Sequence, residues 1–464
     1  MRELALKVAE AARHAGVQFA DVRIVNTDYT SAQVQDSRAD RLSSGTSRGA
    51  GIRVLVEGAW GFSGSENLTL RALTKALEDA IALARASAPH VVHKADMAQQ
   101  EPHEGQDYRL GKVDPRTVDI QEKMKVLLAL EEAGRRGGGS RIVNSMVGYS
   151  DGMEQQTLAN TFGTVIEWQT MRTSVHAMYT AAEEGLMQRA TKVQANICGF
   201  ELLRDLTPEE FTVKVAKQAI ELLRAKRPPV GTFPVVFHPS ITGLLMHEAL
   251  GHNAEADAVW TGESILAGKE GTEIASKLVN VVDDATVPDS YGSYGYDSEG
   301  TPGQKRVIIA NGVLKGYLHS LETAKHFGVE PNGSARAEGY LALPIVRMSN
   351  TFMKPGETPF EMLLAGIDRG VYLMDGHWGY VFVDKGQFTC HAGQARMIEH
   401  GKLGEPLRDV SVSGMMMETL KDIEAVGDDF EMDMPGTCGK GGQGAPINAG
   451  GPHVRVAKLV VGGI

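Results

Sequence analysis

Within six consecutive residues, His247-Glu248-Ala249-Leu250-Gly251-His252, the chain places two imidazoles and a carboxylate. Imidazoles hold transition-metal cations, and a carboxylate beside them can take a proton from the water such a cation binds. A metal-dependent hydrolase needs that combination. The spacing is HExxxH and not HExxH, and the added residue matters. Histidines four apart on a regular α-helix are separated by about 40° around its axis; five apart, by about 140°. Two backbone arrangements restore a shared face. A π-bulge widens one turn and brings i and i+5 into line. Alternatively the helix ends near Gly251, and His252 reaches back from a non-helical position. Glycine before the second histidine suits either arrangement, because it tolerates distorted backbone.

Two imidazoles leave a catalytic zinc site one protein ligand short, with a further position kept for water. The candidates are His, Asp, Glu or Cys elsewhere in the fold; Cys438, in the glycine-dense stretch MPGTCGKGGQGAPINAGG read as a loop, is a plausible third arm, and Cys390-His391 is a rival pair. A thiolate joined to two imidazoles favours Zn²⁺ over Mg²⁺ or Mn²⁺. Glu248 would then act as general base and pass its proton to the leaving amine. His319 and His377 lie on strand-like stretches and are expected to be packed or hydrogen-bonded. Glu255 and Asp257 are expected to orient the histidines or to stand as solvated charges. The segment GTCGKGGQG is not a P-loop, because Lys440 is followed by glycine and not by Ser or Thr.

The elements that must position these residues divide at Arg227-Pro228-Pro229. Ahead of it, Leu4, Val8, Ala11 and Ala12 mark a helix, followed by strand-like DVRIV, SAQVQ and GIRVLVEGAWGFSG, then a helix on Leu70, Leu73, Leu77 and Ile81. Residues 87–115 read as a linker or long surface loop. A similar order then recurs: a helix on Ile120, Met124 and Leu127, strands from Ile142 to Thr170, and a helix beginning at Thr207-Pro208. Either a duplication or an ordinary α+β arrangement produces that pattern. Behind the break come FPVVF, the helix carrying the motif, and a run of short glycine-flanked strands. The expected fold class is therefore α+β. Residues 1–226 form an N-terminal α/β region of repeated helix–antiparallel strands–helix units, at about 1–87 and 117–226. Residues 227–464 form a β-rich domain, a sheet or open barrel.

With 464 residues the chain can bury more than one core. A net charge of −11 argues against a sequence-independent nucleic-acid binder, which needs a basic face. Three cysteines are too few for a disulfide framework and point to a reducing, cytoplasmic setting. The charged N-terminal stretch contains no apolar signal segment, and no run of about 18 apolar residues predicts a membrane helix.

The stretches HEALGHNAEAD, YDSEGTPGQ, NGSARAEG, PIVRMSNTFM, ARMIEHGKLGEPLRDVSVSG and PGTCGKGGQ together resemble the TldD/PmbA family of metallopeptidases, on the TldD side. The likeness runs over essentially the whole chain. It implies a zinc site built from His247, His252 and Cys438, with Glu248 catalytic. It also implies a homodimer, or a heterodimer with a PmbA-like partner that lacks HExxxH, acting on short or unfolded polypeptides. Two other classes compete with a peptidase: a regulatory or assembly protein holding a structural metal, and a metal-dependent amidase acting on small molecules.

Overall fold

The computed structural model of the chain describes residues 1–463, apart from the side chain of His377. Its N-terminal part is built on one seven-stranded sheet. Phe19–Gln35 pairs on one side with Arg38–Val56 and on the other with Ile142–Asn160, both antiparallel. Helix, three antiparallel strands, helix occurs on each side of that central pairing. Two separate apolar cores result. One gathers Val8, Ile24, Ile52 and Leu77; the other gathers Val34, Leu127, Tyr179 and Val215. DVRIV and SAQVQ, expected as separate strands, are one continuous strand of 17 residues. The hairpin is longer than its apolar pattern because its far half, from Arg38 to Arg48, is solvent-exposed on a polar sequence. Apolar alternation cannot mark a strand that buries neither face.

Residues 87–115 are more than a linker. Glu104–Arg109 adds a parallel edge strand to Val165–Glu183, and Ala95 and Met97 are buried against Phe19, Leu55 and Leu321. The segment straps the N-terminal sheet to the C-terminal part.

The C-terminal part has two β layers. Gly231–Phe237, Val454–Gly463, Val410–Met415, Gln387–Glu399 and Arg369–Phe382 pair in that order, and the last pairs back with the first. The barrel is closed, where an open one was the alternative to a sheet. A six-stranded sheet lies beside it, with Val281–Asp284 and Asn350–Met353 in its middle and Gly436–Lys440 at one edge. Both contain a parallel pairing, Gly231–Phe237 with Arg369–Phe382 and Asn350–Met353 with Gln443–Gly450. Such pairs need crossovers, and the chain supplies them with its motif helix and long connections. The glycine-dense stretch around Cys438 is not a loop. Gly436–Lys440 and Gln443–Gly450 form a β-hairpin whose turn, Gly441-Gly442, has positive φ at both positions. That is the conformation a tight hairpin requires, and glycine adopts it without strain.

Between barrel and sheet lies the segment that begins Pro239–Leu245. Leu244, Leu245, Met246, Ala249 and Leu250 are all buried in one core with Val371, Phe388, Val281 and Ile447. A helix apolar on nearly every side is what such a position demands. The sheet is tied down by Asp283, which is fully buried and accepts from Arg306, from the Ser349 backbone and hydroxyl, and from Thr351. Burial works to raise its pKa, but Arg306 and those donors hold it below the usual carboxylate range. Breaking a buried pair of this kind costs about 3–5 kcal/mol, so the strand beside the Cys438 hairpin is firmly placed.

Candidate metal centre

The i, i+5 problem is solved by the backbone. After the α-helical turn Pro239–Leu245 the chain widens into a π-helix over Met246–Gly251, then closes through a 3₁₀ turn over His252–Ala254. The first expected remedy, the widened turn, is the one used: His252 keeps right-handed helical backbone, at φ −62° and ψ −34°, and does not reach back from a non-helical position. The wide turn brings the imidazoles together, with ring centroids 5.1 Å apart and planes inclined at 77°. Gly251 serves a different purpose from the expected one. Its backbone is ordinary right-handed helix, at φ −60° and ψ −49°. A Cβ there would lie 2.0 Å from the sulfur of Met348, so the position is glycine for want of space. Gly251→Ala should therefore cost about 1–3 kcal/mol by overpacking. Trimming the opposing side chain in Gly251→Ala/Met348→Ala should lower the cost of the added methyl, read as non-additive denaturant midpoints. Additive effects of the two substitutions would contradict this account.

The hairpin delivers Cys438 to the same point. Its Sγ lies 3.3 Å from His252 Nε2, and one ligand atom from each of His247, His252 and Cys438 falls within 4.8 Å of the others. Tetrahedral coordination at ordinary Zn–N and Zn–S lengths separates ligands by roughly 3.4–3.6 Å. His247 is buried, and its Nδ1 has no hydrogen-bond partner. Two imidazoles, a thiol and an orphaned ring nitrogen fit a thiophilic divalent cation. Burial opposes ionisation of the Cys438 thiol, yet hydrogen bonds from His247 and His252 bring it down to about 5. Burial likewise opposes charge on His252, but Glu255 and Cys438 raise it to about 10. A cation would take the Cys438 sulfur as thiolate and would need the Nε2 proton of His252 displaced, because only neutral imidazole ligates.

A second layer of residues orients the first. His252 Nδ1 meets Glu255 Oε2 at 3.1 Å, which turns Nε2 toward Cys438. Glu255 is fully buried, with Lys440 Nζ at 3.1 Å and Arg347 Nε at 3.9 Å. Lys440 also donates to Asp257 at 2.7 Å, and Arg347 donates to the carbonyls of Cys438 and Gln443. Of the two carboxylates expected to orient the histidines, Glu255 does so directly, whereas Asp257 acts on Lys440. Lys440 itself was legible in principle. In a strand, side chains two apart share a face, so Lys440 must point to the same side as Cys438 once the stretch is seen as a strand.

Glu248 is half-buried beside the barrel strands. A Cβ at Gly379 would lie 3.0 Å from its Cγ, so Gly379 leaves the space the glutamate occupies. Nothing in the sequence marks that glycine. Burial raises the pKa of Glu248, and the two histidines oppose the rise. The rival pair does not gather here. Cys390 and His391 are neighbours on the strand Gln387–Glu399, so their side chains face opposite sides. Cys390 is buried against Gly379, and burial pushes its thiol pKa up, while His391 stacks on Trp378 at 3.8 Å. His319 is buried beside Thr323. His377 lies in the strand Arg369–Phe382, but its side chain is outside the described residues. Among the described residues, His247, His252 and Cys438 form the one cluster of such groups close enough to share a cation.

A closed barrel and sheet enclosing a His₂Cys cluster with an adjacent glutamate define a metallopeptidase-like centre. Family models for the PmbA/TldA metallopeptidases match along the chain: domain 1 at residues 20–86, the central domain at 113–227 and the C-terminal domain at 230–463. The chain belongs to this family and is a metallopeptidase on the TldD side. It is 37% identical to a metalloprotease of Methanothermobacter thermautotrophicus over 455 residues, covering 96% of each. A zinc metalloprotease TldD homolog of Saccharolobus solfataricus is 27% identical, over 98% of this chain and 99% of its own. The fold also matches the crystal structure of TldE from Thermococcus kodakarensis, with a TM-score of 0.79 at 17% identity, over 99% of this chain and 100% of the other. No helix among the described residues is long and apolar enough to cross a membrane.

Proposed function

We propose that the chain is a zinc-dependent peptidase that hydrolyses short or unfolded polypeptides. In this reading residues 227–464 are the catalytic domain, behind an N-terminal domain of residues 1–226. His247, His252 and Cys438 hold the metal, and Glu248 is the general base. The observation that carries the proposal is the convergence of those three ligand groups where the π-turn and the hairpin meet. Bound zinc would supply a Lewis acid for the scissile carbonyl and make water a stronger acid. Glu248 would take the proton from the attacking water and deliver it to the departing amine nitrogen. Glu255 keeps His252 in the tautomer that presents Nε2, and Arg347 and Lys440 hold Glu255 in place.

The substrate class is supported by topology. Gly436–Lys440 is an edge strand, so one side of it has no strand partner, and it carries Cys438. An extended peptide adding to that edge would be read through its backbone, which suits unfolded chains of varied sequence. The three cysteines are free, in keeping with a cytoplasmic setting. Assembly as a homodimer, or with a PmbA-like subunit that lacks HExxxH, is part of this reading and follows from the resemblance in sequence.

Metal analysis of the purified chain, paired with digestion of a flexible peptide library and of a folded control protein, tests the proposal. The expected result is about one zinc per chain, for the one ligand set. Library cleavage should stop on chelation and return with zinc, and the folded control should remain intact. A zinc-loaded chain that leaves peptides untouched, or that cleaves only small amides, would overturn it.

A further inference from the structure

A second cavity, of about 290 Å³, lies where the N-terminal sheet meets the C-terminal part, and none of its chemistry is used above. Thr437, whose side chain alternates with that of Cys438 across the hairpin strand, reaches its wall. Two arginines face into it, one from each part of the molecule: Arg172 and Arg336. Arg172 donates to the carbonyls of Tyr291 and Ser293, both at 3.0 Å. Arg336, which is buried, donates through Nη1 to the carbonyls of Met348 at 2.7 Å and Pro446 at 2.6 Å. Those bonds fix both guanidinium groups but leave other N–H donors of each unspent.

Neither arginine has a carboxylate within ion-pair distance among the described residues, unlike buried Arg53, Arg306 and Arg347. The acidic residues of the cavity are committed elsewhere. Asp107 accepts from Arg109 and the Gly295 N–H, and Asp297 accepts from the backbone of Glu299, Thr301 and Ala335. Glu154 accepts from Gln156, and Glu338 stands exposed at the rim. Glu154 and Asp107 act on Arg172 only at longer range, so neither guanidinium has a direct ion pair among the described residues, and a guanidinium fork with free N–H donors is a natural receptor for a carboxylate. Gln156 adds an independent requirement. It is buried, its amide N–H₂ is spent on Glu154, and its Oε1 has no donor. A ligand that satisfies the cavity therefore brings an anion for the arginines and an N–H for Gln156. Trp168 and Tyr296 supply aromatic wall for an apolar side chain.

We propose that this cavity is an α-carboxylate site that binds either the C-terminal residue of a peptide or a free amino acid. Those ligands place a carboxylate and an N–H on one carbon, as the two arginines and Gln156 require. The site does not depend on the peptidase reading, because the two arginines and Gln156 that would hold the ligand are not among the residues of the metal cluster.

Isothermal titration of the full chain carrying Glu248→Gln, which keeps a dipeptide intact, tests it with alanylalanine, alanylalanine amide, free alanine and inorganic phosphate. Saturable binding of an acid, with the amide at least about tenfold weaker, is expected. Preference for the dipeptide assigns a peptide end, and preference for alanine assigns the free amino acid. Arg172→Gln should weaken binding at least about tenfold. Gln156→Met, close in shape and without the acceptor, should also weaken it while leaving the circular dichroism and metal content unchanged. Acid and amide binding alike, phosphate alone binding, no binding at all, or undiminished affinity in both variants would overturn the proposal. So would binding lost in Cys438→Ala but kept in Arg172→Gln, which would place the ligand at the metal centre.

Discussion

Glu248→Gln is expected to lower peptidase turnover by about 10²–10⁴-fold, the usual contribution of a positioned general base, while zinc content and fold stay as in the wild type. That loss corresponds to about 2.7–5.5 kcal/mol of transition-state stabilisation. The amide keeps the size of the carboxylate, so contact with Gly379 and the neighbouring Leu244 and Cys390 survives. The ring nitrogens of His252 meet Glu255 and Cys438 and not Glu248, so the placing of that ligand does not rest on the glutamate. What disappears is the lone-pair basicity that accepts a proton and gives it back. The loss should therefore fall on kcat and on kcat/KM equally, with little change in KM, as for an interaction made only in the transition state. Steady-state kinetics on a quenched fluorescent peptide, together with metal analysis of the same preparation, gives the answer. Turnover near the wild-type rate would remove Glu248 from the role of base. Loss of zinc in the variant would instead make it part of the metal-holding set.

The residues that carry chemistry were far more legible than the frame that gathers them. HExxxH is local, and helix geometry alone demanded a widened turn or a helix end; the chain uses the widened turn, with His252 still in helical backbone. The partner from the distant hairpin was a different matter. Cys438 stands 186 residues beyond His252, and no periodicity links positions so far apart. Residue chemistry left the third ligand open among His, Asp, Glu and Cys, with Cys438 and Cys390-His391 singled out, and the family resemblance pointed to Cys438. Strand alternation disposes of the adjacent pair, but only once the stretch is known to be a strand. The glycine-rich composition around Cys438 concealed a hairpin, because glycine has low strand propensity and this edge strand has little apolar pattern to show.

The fold shows the same division. Short apolar runs revealed buried strands such as FPVVF, now within Gly231–Phe237. They were silent for the polar half of the long N-terminal hairpin, where neither face is covered. Barrel closure depends on one more pairing, Arg369–Phe382 with Gln387–Glu399, and both strands look the same whether the barrel is open or shut. The two structural glycines of the centre carry the sharpest lesson. Gly251 and Gly379 are fixed by the Met348 sulfur and by Glu248, atoms brought beside them by tertiary packing. Both are invisible to any local rule.

Cys438→Ala should empty the centre, and Cys390→Ala should leave it loaded. Removing a residue that merely orients a ligand typically costs 10–100-fold in metal affinity. Removing the thiolate itself, one of three protein ligands, should cost more than 100-fold, enough for zinc to be lost on dialysis against a mild chelator. His252 would remain hydrogen-bonded to Glu255 and His247 would remain buried, so the pocket would persist without its anionic ligand. The physical contrast between the two thiols is large. Cys438 sits against both imidazoles, which hold it toward thiolate; Cys390 is buried beside Leu244 and Glu248, which hold it as a neutral thiol. A neutral buried thiol behaves as a small apolar side chain, so Cys390→Ala should cost some stability by leaving a small cavity, and no metal. Because the strand alternates, the neighbouring substitution Gly439→Cys in a Cys438→Ala background cannot restore binding, since it aims the sulfur at the opposite face. Zinc retained by Cys438→Ala and lost by Cys390→Ala would reverse the ligand assignment, and recovery of zinc by the shifted cysteine would mean that the hairpin does not hold the register described above.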